Sequence, residues 1–364
     1  MEDKLYWYWL CGKVLLPIKK QKELMDIFIH PKELYKINPE ILKEHMTELE
    51  YDRFVHSRDE TAIKKGYEAL HRENIRFIIQ KEAAYPNRLR KIYDAPYGIF
   101  QKGQPYKEKE LSIAIVGSRY PTTYGFEISK KFAKELAQQG VQIVSGLARG
   151  VDGTVHREII DKKGQAVGVL GCGIDLIYPK ENFKLFEEIL KNDGTVITEY
   201  APNIQACADN FRKRNRIVSG ISLGVLVVEA AEHSGTGITV NYARSQRKPI
   251  FSIPSNINNL KGVGTNRLLK RDGILVTDVN DILEYYDLPQ IIQTNIEEVI
   301  IKPVEIKPEY KKIYDVICEG PIHINKISQK LNISIAELNS TLLMMDLEGI
   351  IESLPANMYK VKEV

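Results

Sequence analysis

Four cationic side chains, Arg212, Lys213, Arg214 and Arg216, fall within five residues of the run Phe211-Arg212-Lys213-Arg214-Asn215-Arg216-Ile217-Val218-Ser219-Gly220. Each Lys or Arg that neutralises a nucleic-acid phosphate releases condensed counterions whatever the base, so this density is a footprint for a phosphate backbone. The alternative is a solvated helix face, and charge alone leaves both open. A second stretch suited to an anion is Ile115-Val116-Gly117-Ser118-Arg119, where a glycine turn follows an apolar run. Two further turns share its character, Ser145-Gly146-Leu147-Ala148-Arg149-Gly150 and Gly171-Cys172-Gly173. Glycine lets a backbone come close to a ligand, and amides opening the next helix attract anions.

Other matches to reactive motifs fail on context. Gly117 to Gly125 is not G-x-G-x-x-G, because Arg119 and Pro121 intrude. Gly220-Ile221-Ser222-Leu223-Gly224 fits G-x-S-x-G by letter, but it runs from helix into strand, whereas a nucleophile elbow turns from strand into helix. His156-Arg157-Glu158 lacks the P-C-x-x-C that would complete a deaminase zinc site, so His156 reads as a structural histidine near Asp152. Asp175, Glu199 and Glu229 follow apolar runs, where a carboxylate could serve as a base; structural roles are the default. Ser234-Gly235-Thr236-Gly237 reads as a phosphate or ribose cradle, as a capped helix start, or as both. No H-E-x-x-H, C-x-x-C or P-loop occurs, so no metal, cofactor or catalytic residue is expected.

The elements that must position these residues follow from pattern. Short apolar runs at 113–116, 141–144, 166–170, 195–198, 225–228, 249–253 and 274–277 alternate with helical stretches. This is the signature of a mainly parallel α/β sheet covered on both faces. Ligands of such sheets bind beyond the carboxyl ends of the strands, so the turns after the runs hold the function. Residues 1–105 differ, with i, i+3, i+4 apolar spacing near 21–29, 39–49 and 59–74, and predict a small helical domain closed by Tyr85-Pro86 and Ala95-Pro96. Residues 106–287 carry the sheet, and 288–308, with Pro289, Pro303 and Pro308, read as a linker. Residues 309–364 give three helices and a hairpin, a winged-helix pattern, but the third helix carries Glu337, Asp346 and Glu348 and no Lys or Arg. A protein-contact role suits it better than major-groove reading.

Composition constrains the partners. The chain has 364 residues and a net charge of only +3, so nucleic-acid affinity must come from local clustering. Cys11, Cys172, Cys207 and Cys318 are dispersed, which fits a reducing cytoplasmic setting. The opening apolar run Leu5 to Leu10 is too short to span a bilayer and lacks a cleavage site, so neither export nor membrane association is expected.

Taken in order, Gly117-Ser118-Arg119, Ser145-Gly146 with Gly150-Val151-Asp152 and His156, Gly173-Ile174-Asp175 with Tyr178-Pro179, Phe211 with Arg214 to Gly220, and Gly264-Thr265-Asn266-Arg267-Leu268-Leu269 resemble the DNA-processing protein A (DprA, or Smf) family. The resemblance spans nearly the whole chain. It implies a sterile-alpha-motif-like helical domain, an extended Rossmann-type domain that binds single-stranded DNA, and a winged-helix tail. It further implies protection of incoming strands in natural transformation, loading of the RecA recombinase, and a homodimer formed through the Rossmann-type domain. The DNA contacts it implies are Gly117, Ser118, Arg119, Lys180, Arg214 and Arg216, to which the local charge adds Arg212 and Lys213. The chain departs from the family in Arg212, where proline is common, and in Thr236 and Ser255. Phe211, Tyr120 and Tyr124 are candidates for base stacking, with core packing the alternative for Phe211. The competing enzyme class is a nucleotide-monophosphate hydrolase of a related fold, with Glu229 or Glu199 as base and Arg119 as phosphate clamp.

Overall fold

The computed structural model describes residues 1–162, 165–232, 234–288, 306–318, 320–354 and 357–361. The chain divides into two compact units, Met1–Ile291 and Ile292–Val364.

The first unit is built on nine strands: β1 (Arg76–Ile79), β2 (Gly98–Gly103), β3 (Ser112–Val116), β4 (Gln142–Ser145), β5 (Ala166–Val169), β6 (Thr195–Thr198), β7 (Gly224–Val227), β8 (Ile250–Ser252) and β9 (Ile274–Leu275). They lie in the order β1-β2-β6-β5-β4-β3-β7-β8-β9. From β6 to β9 every pairing is parallel, while β2 runs antiparallel to β6 and to β1. The parallel strands are short and apolar because both faces are covered. Ile113, Ile115 and Ile143 pack with Phe132, Val155 and Ile189 on one side. Ala114, Val116, Val144 and Val167 pack with Ile217, Val218 and Val240 on the other.

Topology decides where a ligand would go. The chain winds outward from β3 through β4 and β5 to β6, then returns to lay β7 on the opposite flank of β3. The turns leaving β3 and β7 diverge, and such a switch point opens a crevice at the carboxyl edge.

The expected boundary at residue 105 is displaced, because Arg76–Ile79 and Gly98–Gly103 extend the sheet through β6. Five α-helices precede them, Asp3–Gly12, Ile18–Phe28, Pro31–Lys36, Glu48–His56 and Glu60–Arg72, and they share one core cluster with the sheet. The apolar opening run is the first of these helices; Trp9 and Leu10 are fully buried in that cluster. Thr47 starts the helix Glu48–His56 with a reciprocal cap: its hydroxyl accepts from the Glu50 amide and the Glu50 carboxylate accepts from Thr47.

The second unit holds helices Lys311–Ile317, Ile324–Leu331 and Ile335–Leu347 and a three-stranded sheet of β10 (Ile322–His323), β12 (Met358–Val361) and β11 (Ile351–Leu354). Ile313, Ile317, Ile327, Leu338, Leu342 and Met345 form its core. Most of the expected linker lies outside the described residues.

Candidate nucleic-acid interface

A cavity of about 720 Å³ opens at the switch point, walled by Gly117 to Tyr120, Gly146, Asp152, Tyr178, Cys207, Phe211, Arg212, Arg214, Asn215 and Ser234 to Thr236. It gathers the turns after β3, β4 and β7 and the start of the helix Ala208–Ile221. Three helices begin at this wall with no side-chain cap, Val151–Glu158, Ala208–Ile221 and Thr236–Ser245. The Val151 amide is given to the Ser118 carbonyl and the Gly237 and Ile238 amides to the Ser234 and Gly235 carbonyls, whereas the first-turn amides of Ala208–Ile221 carry partial positive charge at the cavity wall, where an anion is favoured.

The turns are locked to one another by the main chain. Ser118 donates its amide to the Glu229 carbonyl at 2.8 Å and accepts from the Val151 amide at 3.1 Å. The glycines serve this interlocking. Gly150, at φ +72°, lies against the Ser118 and Arg119 backbone, where a Cβ would clash with the Ser118 carbonyl. Gly146 lies under the Arg214 guanidinium and Gly171 under the Phe211 ring. Gly146, Gly150 and Gly171 each admit a neighbouring protein group, and Gly146 also lines the cavity.

The cations divide into two kinds. Arg119 and Arg212 are exposed and line the cavity. The Arg119 guanidinium stands 5.9 Å from the centre of the half-buried Phe211 ring. Arg214 also lines the cavity but is only 4% exposed, and its Nη1 donates to the carbonyls of Gly146 at 2.6 Å and of Val169. Burial lowers its pKa, while the charge of Asp152 raises it. Asp152, buried beside it, accepts from the Gly146 amide at 3.1 Å, and burial lifts its carboxyl above the ordinary range. Arg216 is a correction: it is 2% exposed, outside the cavity wall, and ion-paired to Asp94 at 3.2 Å and to Glu199 at 2.5 Å. A guanidinium so enclosed by two carboxylates anchors its helix rather than meeting a phosphate. Lys213 is exposed but faces Asp209 at 2.6 Å, and Lys180, also exposed, opens the turn Lys180–Asn182; neither lines the cavity.

The carboxylates proposed as bases are engaged by protein groups, with Glu199 Oε1 alone among their described oxygens buried and unpartnered. Glu229 is buried and accepts from the Thr122 amide and hydroxyl, both at 2.8 Å, and from the Asn259 side chain at 3.1 Å. Glu199 is held by Arg216, and Asp175 accepts from the Asn203 amide at 2.9 Å. Ser222 of the G-x-S-x-G match is buried between helix and strand, its hydroxyl donating to the Val218 carbonyl at 2.9 Å. His156 is buried, with its Nε2 3.3 Å from the Val167 carbonyl, and burial pushes its pKa down to about 4. Among the described residues, no group of His, Cys, Asp and Glu is placed to hold a metal.

Two groups were not among the expected contacts, although Tyr178-Pro179 was part of the family resemblance. Tyr178 stacks on Phe211 with ring centres 5.2 Å apart, its own ring half exposed in the cavity wall. Lys261 donates to the Tyr120 carbonyl at 2.6 Å, tying the arginine turn to the segment after β8. Tyr178 had a usable signal, an aromatic before proline in a turn at a strand end; Lys261 had none. Tyr120 lines the cavity, whereas Tyr124 spends its hydroxyl on the Pro254 carbonyl at 3.2 Å. Ser255, a departure from the family pattern, is held from both sides by Asn266, which accepts its amide at 3.0 Å and donates to its carbonyl at 2.8 Å.

The family model described as DNA recombination-mediator protein A matches residues 76–287 of this chain. The chain belongs to this family. A second model, the DprA winged helix domain, matches residues 302–357. Among curated members, Protein Smf of Escherichia coli is 37% identical over 215 residues, which is 59% of this chain and 58% of that protein. The DNA processing protein DprA of Bacillus subtilis is 35% identical over 223 residues, 61% of this chain and 74% of that protein. The structure of DNA processing protein A from Streptococcus pneumoniae superposes with a TM-score of 0.67 at 29% identity, covering 78% of this chain and 98% of that one. That of DNA processing protein A from Helicobacter pylori, described by its single-stranded DNA binding mode, gives 0.51 at 26% identity, covering 58% and 95%. The match to the family begins at Arg76, the first residue of β1.

Proposed function

We propose that this family member binds single-stranded DNA in the switch-point cavity, with Arg119, Arg212 and the start of the helix Ala208–Ile221 holding phosphates and Tyr178 on Phe211 offering a face to a base. The observation that carries this reading is the convergence of two exposed arginines, the N-terminus of the helix Ala208–Ile221 and an aromatic pair on one cavity. Gly117 and Ser118 shape the turn that presents Arg119. Arg214 contributes from the buried wall, while Lys180 and Lys213 extend the positive field outside it.

The reading places the protein in the cytoplasm as a homodimer formed through the Rossmann-type domain, protecting incoming strands and passing them to the RecA recombinase during natural transformation. Family membership supports this part, and no helix among the described residues is long and apolar enough to cross a membrane. The role is binding rather than turnover. Glu229 and Glu199, the bases a nucleotide-monophosphate hydrolase would need, are committed to Thr122, Asn259 and Arg216. The test is to titrate the full chain with a single-stranded oligonucleotide and with its duplex. Preference for the single strand with little dependence on sequence supports the reading; equal or tighter duplex binding overturns it.

A further inference from the structure

The turn that carries Arg119 is gripped from outside the cavity. Arg119 makes no side-chain hydrogen bond or ion pair among the described residues, only its contact with the Phe211 ring, so the place of its guanidinium follows the backbone of residues 117–122. β3, β7 and β8 are parallel neighbours in the sheet, and the turns that leave them lie side by side at its carboxyl edge.

The buried Glu229, in the turn after β7, joins all three. Its carbonyl accepts the Ser118 amide at 2.8 Å, and its carboxylate accepts the Thr122 amide and hydroxyl as well as the Asn259 side chain. The segment after β8, residues 254–262, also reaches the arginine turn directly. Lys261 Nζ donates to the Tyr120 carbonyl at 2.6 Å, and the Tyr124 hydroxyl donates to the Pro254 carbonyl at 3.2 Å.

That segment is itself braced. Asn259 donates to the Ser255 hydroxyl and accepts from the Lys261 amide, both at 3.0 Å, while Asn266 holds the Ser255 amide and carbonyl. Lys261 thus acts from a fixed base, and none of residues 254–262 lines the cavity. A carbonyl held by an ammonium is a charge-assisted bond, stronger than one between neutral groups. A turn ordered in advance spares a ligand the cost of ordering it on binding.

Resting on the reading that Arg119 meets a phosphate, we infer that Lys261 is a positioning residue for single-strand binding. Its ammonium holds the Tyr120 carbonyl so that the turn presents Arg119 already ordered, and Asn259, bonded to Glu229, fixes the segment from which Lys261 reaches. The experiment measures the affinity of the full chain for a single-stranded oligonucleotide across a salt series, for the parent, Lys261→Met, Arg119→Ala and the double variant. Lys261→Met keeps the length of the side chain and removes its donor. It should weaken binding about fivefold to tenfold at low salt and leave the slope of log K against log salt unchanged. In the Arg119→Ala background it should have no further effect, because nothing remains for it to position. Lys261→Arg, which keeps a donor, should restore most of the affinity. An ammonium that met a phosphate directly would instead make the slope shallower by about 0.7 and add its loss to that of Arg119→Ala. Either result overturns the proposal, as does parent affinity in Lys261→Met. Should Arg119→Ala itself bind like the parent, the failure lies in the reading of the cavity, and the proposal falls with it.

Discussion

Two regions of this molecule have a shape associated with nucleic-acid binding, and they differ in what their chemistry would do with it. The switch-point cavity brings exposed Arg119 and Arg212 to the start of the helix Ala208–Ile221, whose first turn has no side-chain cap. The third helix of the winged-helix unit, Ile335–Leu347, instead exposes Ile335, Leu343, Met344 and Leu347, with Glu337 in its first turn. A phosphate backbone would gain counterion release in the first and meet carboxylates and hydrocarbon on the second. Fold supplies a scaffold, and the placement of charge on it decides the partner. Within the cavity the same lesson recurs, since Arg212 faces solvent while Arg216, four residues on, is sealed between Asp94 and Glu199.

The largest expected effect separates structural from binding arginines. Arg216→Ala leaves two carboxylates without their buried partner and should destabilise the first unit by ~3–5 kcal/mol, read by chemical unfolding. If the variant melts like the parent and loses only DNA affinity, Arg216 is a contact residue and the division of the arginines fails.

Next is the acid limb of stability. His156 is buried with its pKa pushed down to about 4 from 6.5, so the unfolded chain binds the extra proton first. The stability it contributes is complete above pH 6.5 and is lost as the pH falls from 6.5 towards 4. Integrated over that window it amounts to ~3 kcal/mol. His156→Gln should flatten that limb in denaturant titrations at successive pH values; an unchanged limb would assign the titration elsewhere.

Gly146→Ala sharpens the comparison from inside the cavity. A Cβ there falls on the Arg214 guanidinium, which must move off the Gly146 and Val169 carbonyls. Single-strand affinity should fall by about tenfold with a stability loss of ~1–3 kcal/mol. Wild-type affinity in this variant would mean Arg214 has no part in binding.

Deleting residues 309–364 tests the other region and should have the smallest effect, a change in single-strand affinity of less than about twofold. A large loss in a folded truncation would make the tail a DNA-binding element despite the acids and apolar groups on its third helix.

Much of the fold was legible in the sequence. The runs at 113–116, 141–144 and 225–228 read as strands because burial on both faces demands unbroken apolar side chains, and the strands formed there are Ser112–Val116, Gln142–Ser145 and Gly224–Val227. β1 and β2 were missed because they are a short antiparallel pair whose partner, β6, lies about a hundred residues further on. For the site, Gly117-Ser118-Arg119 and the run from Phe211 were found by local spacing, and both reach the cavity. The burial of Arg214 and Arg216 could not be read locally. The groups that enclose them, Asp94, Gly146, Val169 and Glu199, are distant in sequence, and on a helix of such polarity a charge pointing inward looks like one pointing out.

The most direct test of the central claim is the salt dependence of single-strand binding by the wild type and by the double variant Arg119→Ala, Arg212→Ala. For single strands, log K against log salt has a slope of about −0.7 per phosphate neutralised, so losing two contacts should make the slope shallower by about 1.4 and weaken binding ~100-fold at low salt. An unchanged slope, with or without a fall in affinity, would contradict the assignment of these two arginines to the phosphate backbone.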